Sequence, residues 1–492
     1  MKNFNSKRVF NRYSSDPNPE GDYVLYWMQI NRRFQYNFAL EYAVAWANKL
    51  NKPLLIFEAF SCDYPWATAR SHMFMMQGMK EHLDYAEQQD LNYLSFVEKK
   101  PGQYDQLLRR LARDASVLIT DEYPVFIMKE RNEYYPDQFK IPYISVDSNG
   151  LIPLGLTEKD PYSAYFFRKI MQKHFVEAYT NPPQKNPLSL LNNRKLSELP
   201  SSFFEGLPDS NKVFNAIPEF IEELNINHNV KPVEWHGSRQ AALGMLGQFI
   251  KNGLLEYDEK RNDPDEKKTS NLSPWLHFGK ISAYEIVKAV FQHQPEKWDL
   301  DKVTYNNGST GGFFNGNPNI DSFLDEIITW REVGFHFAHH REDYDQFESL
   351  PDWALKTLKE HQKDPREWEY SYEQLEQSQT HDEVWNAAQT QLRKEGIIHN
   401  YLRMLWGKKV IEWTPDPNTA LKYLINLNNT WAIDGRDPNS YSGIFWCFGR
   451  FDRAWQERPI LGKIRYMTSH NTKKKVKLKQ YLNQFGQQKS LL

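Results

Sequence analysis

The stretch HNYLRMLWGKKVIEW, residues 399–413, spaces His399, Arg403, Trp406, Val410 and Trp413 by four, three, four and three. On a helix these five side chains share one face. A guanidinium is a costly neighbour for two indoles unless an acid pairs with it. The row is either a packed helix with one structural salt bridge or a redox site that needs aromatic and charged groups together. The nearest counter-ions are Asp434 and Asp437, in TWAIDGRDPNSYSGIFWCFGRFDRAW, residues 430–455. Asp437 followed by Pro438 also reads as a helix start, with aspartate as the cap and proline in the first turn. Such a helix end favours negative charge, for instance an anionic cofactor ring or a phosphate.

Three further constellations carry chemistry. In TSNLSPWLHFGKIS, Thr269, Ser270 and Ser273 bring hydroxyls and backbone amides just ahead of a helix opened by Pro274. That pattern suits a pyrophosphate and is equally common at ordinary helix starts. In FLDEIITWRE, Glu326 and Trp330 lie four residues apart on an apolar helix, one turn above each other. A carboxyl beside a large aromatic is either a capped structural acid or a ligand-reading pair. In FHFAHH, His336, His339 and His340 share a helical face. No second cluster has metal-ligand spacing, so no metal is expected.

These groups need elements to hold them. The chain of 492 residues is long enough for two or three domains. The first 150 residues alternate short β-rich runs (DYVLYWMQI, KPLLIFEAF, LNYLSFV, SVLITDEY, IPYISVD) with helical segments such as FALEYAVAWANKL and YDQLLRRLARDA. Alternation on this scale implies a doubly wound parallel sheet. Neither G-x-G-x-x-G nor G-x-x-x-x-G-K-[ST] is present, so the usual phosphate-cradling loops are absent. After Trp235 the periodicity is helical almost throughout. The expected organisation is a flexible leader over 1–20, an α/β domain over 21–155, and a proline-punctuated connection over 156–232. An all-α domain follows over 233–485.

Net charge is −2, which excludes a chain that is basic overall. Locally, residues 463–479 hold seven Lys or Arg and no acid, either a solvated strip or a phosphate-contacting one. Fifteen tryptophans suit a core, a planar ligand or flipped bases. Cys62 and Cys447 give no disulfide framework and suit a reducing compartment. The N-terminus lacks a secretory apolar segment, and no apolar run is long enough to span a bilayer. A cytoplasmic protein without a membrane partner is expected, and nothing in the sequence argues for more than a monomer.

Taken together, SNLSPWLHFG, THDEVWNAAQ, HNYLRMLWGKKVIEW, DGRDPNSYSGIFW and AWQERPILGKIRYM resemble the photolyase/cryptochrome family, most closely class II cyclobutane pyrimidine dimer photolyases. MQINRRFQYNFAL resembles the class II start. The resemblance implies an antenna-type α/β domain and a helical FAD-binding domain. It also implies light-driven repair of cyclobutane dimers in UV-damaged DNA, by electron transfer from excited reduced FAD. A blue-light receptor without repair activity is the alternative; the chain ends about fifteen residues past the basic strip, with no long signalling tail, which favours the enzyme.

Residue by residue, the resemblance assigns Trp385, Trp406 and Trp413 to a tryptophan chain that re-reduces oxidised flavin. Trp406 and Trp413, seven residues apart, would lie roughly 10 Å from each other along the backbone. Arg403 with Asp434 falls at the flavin edge and Asn428 at flavin N5. Tyr257, Thr269, Ser270, Asn271, Leu272 and Ser273 fall on the phosphate-binding part, and Asn400 and Asp437 on the rest of the flavin site. Glu326 matches the carboxyl that hydrogen-bonds the dimer. Trp330 and Trp446 match the pocket walls and Met404 the floor. Arg261, Asn262, Arg453 and Arg465 match DNA or lesion contacts. A second, antenna chromophore, a deazaflavin or a folate, is left open. Three stretches depart from the class II pattern: Asn400 in place of glycine, Phe335 and His336 in place of Asp and Asn, and the insertion NNGSTGGFFNGNPN before Glu326.

Overall fold

A computed structural model describes residues 4–192, 196–295 and 297–486. Residues 1–3 of the expected leader, 193–195 of the expected connection and 296 of the expected helical domain lie outside the described residues. The chain forms two compact units. One comprises Met1–Glu158, Phe175–Met245 and Leu272–Ala289; the other comprises Lys159–His174, Leu246–Asn271 and Val290–Leu492. The contiguous boundaries expected near 155 and 233 differ from this division. Hydrophobic periodicity reports the type of an element, not the core against which it packs, and the stretch from 175 to 245 packs with the first unit.

The first unit is built on six strands: β1 (Val9–Tyr13), β2 (Tyr23–Met28), β3 (Leu54–Phe60), β4 (Tyr93–Val97), β5 (Ala115–Asp121) and β6 (Tyr143–Val146). Their order is β1-β6-β5-β2-β3-β4. All neighbouring pairs are parallel except β1, which runs antiparallel to β6 with Val9 opposite Val146. The sheet is therefore parallel with one antiparallel edge, and the expected leader is corrected: its residues 9–13 are that edge strand. None of the five is fully buried, and Asn11 and Arg12 place polar groups in the strand, as suits an edge. Arg8 is buried, bonds Asp147 at 3.2 Å and lies 4.2 Å over the Phe38 ring, while Arg12 reaches Glu122 at 2.5 Å.

Every residue of β2 is buried. Tyr23, Leu25 and Trp27 pack with Leu107, Leu108 and Leu111 of the helix Gln103–Arg113. Val24, Tyr26 and Met28 pack with Leu40, Ala43 and Ala47 of the helix Phe38–Leu50. Helices on both faces are what turn a parallel strand into a continuous apolar run. The order of strands reverses between β2 and β5, the place where such sheets seat ligands. Here the Asp121 carboxylate accepts the amides of Gln29, Ile30 and Asn31 at 2.9, 2.8 and 3.0 Å, and the Tyr26 hydroxyl at 2.8 Å. A side chain of the protein itself takes the amides that a phosphate loop would present.

The second unit is helical, and three of its helices start at aspartates that cap them. Asp382 accepts from the amides of Val384 and Trp385 before the helix Glu383–Glu395, which ends at Gly396 with φ 70°. Asp416 caps Pro417–Trp431 and Asp437 caps Pro438–Cys447, each with proline in the first turn. The helix Asn400–Trp413 runs between them in sequence. Pro318–Leu324 continues into a π-helical turn, Asp325–Trp330, and then into Arg331–His340. No helix among the described residues is long and apolar enough to cross a membrane.

Candidate active site

The helix Asn400–Trp413 organises the site in the second unit. Its Arg403 sends one N–H to Asn428 Oδ1 at 3.3 Å and another to Asp434 Oδ1 at 3.4 Å. Asn428, on Pro417–Trp431, donates in turn to Ser440 Oγ at 3.0 Å. Asp434 sits in the turn that follows. Glycine is needed at 435, because a Cβ there would lie 2.8 Å from the Asn428 carbonyl oxygen and 3.0 Å from Asn429 Cα. Arg436 adopts φ 66°, and its amide is held by Asn429 Oδ1 at 2.9 Å. The expected Arg403–Asp434 pair is thus present, with Asn428 as a third member. Asp437 binds the amide of Asn439 at 2.8 Å, so it serves first as a helix cap. Asn400 opens the helix and is exposed.

Two bonds leave a guanidinium with further N–H groups and a carboxylate with further lone pairs. One turn before Arg403, both ring nitrogens of His399 are buried without a hydrogen-bond partner among the described residues. Burial pushes this imidazole down to about 4, against a weaker pull from Asp263. The paired donors and acceptors of Arg403, Asn428 and Asp434 fit the polar edge of a flavin, and these are the residues that would hold it.

The three tryptophans are buried, at 0% for Trp385 and 2% each for Trp406 and Trp413. Their arrangement differs from the simple row along one helix. The ring contact is between Trp385 and Trp413, with centroids 5.7 Å apart at 67°. Trp385, from the neighbouring helix, donates to the Trp406 carbonyl at 3.0 Å, and Trp406 donates to Gln389 at 2.9 Å. Beyond Trp413 lie Tyr370 and His381, at 5.5 and 5.2 Å, and His381 stacks at 4.4 Å on the exposed Trp368. A continuous aromatic path therefore joins Trp385 and Trp413 to the surface.

Glu326 and Trp330 stand on the π-helical turn rather than on a regular α-helix. Single π turns recur at functional sites because they re-aim side chains. Glu326 accepts from Arg261, which also lies 5.5 Å over the Tyr257 ring. Burial raises the Glu326 carboxyl and Arg261 opposes it. Tyr257 is itself buried against Phe323, and burial raises its phenol well above the usual range. Asn262 is exposed. Phe335 and His336 are core residues at 2% and 0% exposure; Phe335 lies under Arg331 and His336 against Phe167. Among the described residues no group of three or more His, Cys, Asp or Glu could hold a metal ion.

Trp446, at the end of Pro438–Cys447, lies under two cations. Lys408 Nζ is 4.7 Å from its ring and the Arg465 guanidinium 5.5 Å. Arg465 also covers Trp455 at 4.3 Å and pairs with Asp452 at 2.9 Å, and the exposed Arg453 covers Trp455 at 5.0 Å. Two residues here were not singled out from sequence. Trp455 is 38% exposed and sits between two arginines. Lys408 is fully buried, donates to the Cys447 carbonyl at 2.7 Å, and is pushed down to about 8 by burial. The first was visible only as one more aromatic near the basic strip; the second, in WGKKV, carries no local signal. Met404 is part-buried on the same helix as Lys408.

Thr269, Ser270 and Asn271 belong to the second unit, Leu272 and Ser273 to the first. Asn271 makes a left-handed turn with φ 52°, and Thr269 bonds its side chain at 3.2 Å. Leu272 is buried and Ser273 opens the helix Ser273–His277.

No family model matches the chain. It is 34% identical over 480 residues to the deoxyribodipyrimidine photo-lyase of Methanothermobacter thermautotrophicus, covering 97% of this chain and 98% of that one. Identity to the proteins of the same name from Potorous tridactylus and Oryza sativa is 31% and 30%, over 92% and 94% of this chain and 79% and 87% of theirs. Among solved structures, a bacterial class III photolyase from Agrobacterium tumefaciens is similar in fold. Its TM-score is 0.64 at 16% identity, over 96% of this chain and 87% of that one.

Proposed function

This chain belongs to the deoxyribodipyrimidine photo-lyase family, and we propose that its helical unit repairs cyclobutane pyrimidine dimers in UV-damaged DNA. The observation that carries the reading is the helix Asn400–Trp413. It bears Arg403, bonded to Asn428 and Asp434, on one stretch and Trp406, Lys408 and Trp413 on the next. Flavin adenine dinucleotide, the cofactor of the family, supplies the light-excited electron when bound. The residues supply the rest. Arg403, Asn428 and Asp434 would hold the flavin edge, and Tyr257 with the Thr269–Asn271 stretch would serve its phosphates. The buried indoles of Trp385, Trp406 and Trp413 would relay electrons from an external reductant toward the cofactor site.

On the DNA side, Trp330 and Trp446 flank the flipped dimer, with Met404 beneath it. The Glu326 carboxyl, whose proton affinity burial raises against the pull of Arg261, would face the dimer and hydrogen-bond it as negative charge develops on the pyrimidine. Arg261 and Asn262 contact the lesion strand. Arg453 and Arg465, stacked on Trp455 and Trp446, present cations and aromatic faces together, the combination that suits phosphates and unstacked bases. A deazaflavin or folate antenna in the first unit, a monomeric state and a cytoplasmic setting complete the proposal. Both cysteines are free and buried, which accords with a reducing compartment.

The test is repair itself. Reduced, FAD-loaded protein is mixed with UV-irradiated oligothymidylate, illuminated with blue light, and compared with a dark control by recovery of base absorbance. Light-dependent recovery is expected, and Glu326→Gln should retain FAD while slowing recovery by about a hundredfold. A photoreducible, FAD-loaded protein that restores no absorbance would overturn the reading.

A further inference from the structure

The residue beside Glu326 in sequence has its own anchor. Asp325 is gripped by Arg168 through both carboxylate oxygens, Nε to Oδ1 at 2.7 Å and Nη2 to Oδ2 at 2.9 Å. The two side chains are 6% and 12% exposed, whereas Glu326 keeps 28% of its side chain open. The π-helical turn is thus bolted down on its buried side and presents its carboxyl on the other. Bidentate pairing matters because a planar fork fixes orientation as well as distance.

Arg168 makes a third bond, from Nη1 to the Gly308 carbonyl at 3.4 Å. Gly308 belongs to the Gly/Asn-rich insertion that departs from the class II pattern, and it adopts φ +80°. One helical turn beyond Arg168, Gln172 accepts from the amides of Asn306 and Gly308 at 3.2 and 2.8 Å and donates to the Ser309 carbonyl at 2.9 Å. Midway along, the insertion is tied to Asp321, which accepts the Gly312 amide at 3.0 Å one turn before the π-helix. The same guanidinium therefore joins the insertion and the turn that carries Glu326 and Trp330.

We infer that Arg168 is a positioning residue for lesion recognition: by clamping Asp325 and the Gly308 carbonyl, it sets where Glu326 and Trp330 are aimed, and it makes the insertion part of that setting. The inference rests on the proposed role of Glu326. An ordinary buried ion pair would stabilise the fold without acting through Glu326, so the two cases separate in a double-mutant cycle. The groups facing Glu326 are Arg261 and Tyr257, Asp325 from its own turn, and Arg168 from the helix Ala164–Thr180. Of these, Arg168 alone acts on it through the backbone of that turn.

The experiment uses full-length, FAD-loaded protein in the dark. Binding of UV-irradiated oligothymidylate is compared with unirradiated oligothymidylate for wild type, Arg168→Lys, Glu326→Gln and the double variant. Lysine keeps the charge opposite Asp325 but cannot form the fork. Arg168→Lys should lose about tenfold in preference for the irradiated strand, with flavin absorption and binding of the unirradiated strand unchanged. In the Glu326→Gln background the same substitution should have no further effect. Gly308→Ala, which places a methyl 2.9 Å from the Lys169 side chain at a strained φ and leaves Arg168 in place, should lose preference in the same non-additive way. Wild-type preference in Arg168→Lys, or losses that add to those of Glu326→Gln in both variants, would overturn the inference. A wild type that does not itself prefer the irradiated strand would instead overturn the reading of Glu326 beneath it.

Discussion

Replacing Gly435 with alanine tests the flavin-edge geometry most directly. The new methyl would lie 2.8 Å from the Asn428 carbonyl oxygen, 3.0 Å from Asn429 Cα and 3.2 Å from the Ala432 carbonyl oxygen. All three are backbone atoms, so no side chain can swing aside; the turn itself must open by several tenths of an ångström. Asn428 is also an acceptor for Arg403, at 3.3 Å, and the Arg403–Asp434 contact is already 3.4 Å. Both are near the limit at which such bonds weaken, so a small displacement breaks them. Overpacking of this kind costs about 1–3 kcal/mol. If the cost falls on cofactor binding, flavin affinity drops between about 5-fold and about 150-fold. Gly443→Ala is the control. Its Cβ meets no atom within 4 Å, and it lies within the helix Pro438–Cys447, where alanine should stabilise by up to about 1 kcal/mol. Flavin-to-protein ratio after purification and titration of flavin fluorescence give the affinities, with thermal melts as the check on folding. Equal flavin affinity in the two variants would refute the reasoning.

Three other expectations follow from the same geometry. Trp406→Phe should abolish photoreduction of oxidised flavin by external reductant, while pre-reduced protein still repairs; absorbance under illumination decides, and a normal rate would mean that electrons bypass Trp406. The depressed imidazole of His399 means that the unfolded chain binds the extra proton between its ordinary value of 6.5 and about 4, so stability falls as pH falls through that window and is flat below it. His399→Asn, which removes the titrating ring, should lose less thermal stability than wild type across those pH values; identical slopes would remove His399 as the source. Lys408→Met should lower the thermal midpoint, because it strips the Cys447 carbonyl of a buried donor at a cost of about 1–3 kcal/mol. It should also weaken binding of irradiated oligothymidylate through loss of the cation over Trp446; unchanged melting and binding would count against both roles.

The sequence made much of the fold legible because its signals are local. Strand runs such as VLYWM are apolar at every position, since helices cover both faces of the parallel sheet. Asp437–Pro438 and Asp416–Pro417 mark helix starts because capping needs only neighbouring residues. The site was legible only in part. Arg403 and Asp434 come together as expected, whereas Arg261 as the partner of Glu326, 65 residues away, carries no local signal. Arg12 and Arg8 misled for the same reason. They look like a solvated leader, and only partners more than a hundred residues away hold them in place, Glu122 for Arg12 in the edge strand and Asp147 for Arg8 just before it.

What the sequence determined by itself was which residue types could do the chemistry and which elements bear them: aromatic and charged groups at helical spacing, capped helix starts, and words long enough to identify a family. What only the tertiary structure decided was who touches whom. Trp413 meets Trp385 from the next helix rather than Trp406 from its own, because ring contact depends on how two helices cross. The turn carrying Glu326 is π-helical and anchored by Arg168, a residue 157 positions away from Asp325. Lys408 becomes buried and cationic over an indole only because the end of another helix offers it carbonyls. Periodicity is a property of one segment, whereas the placing of a charge in a low-dielectric interior is settled by all the segments that close around it.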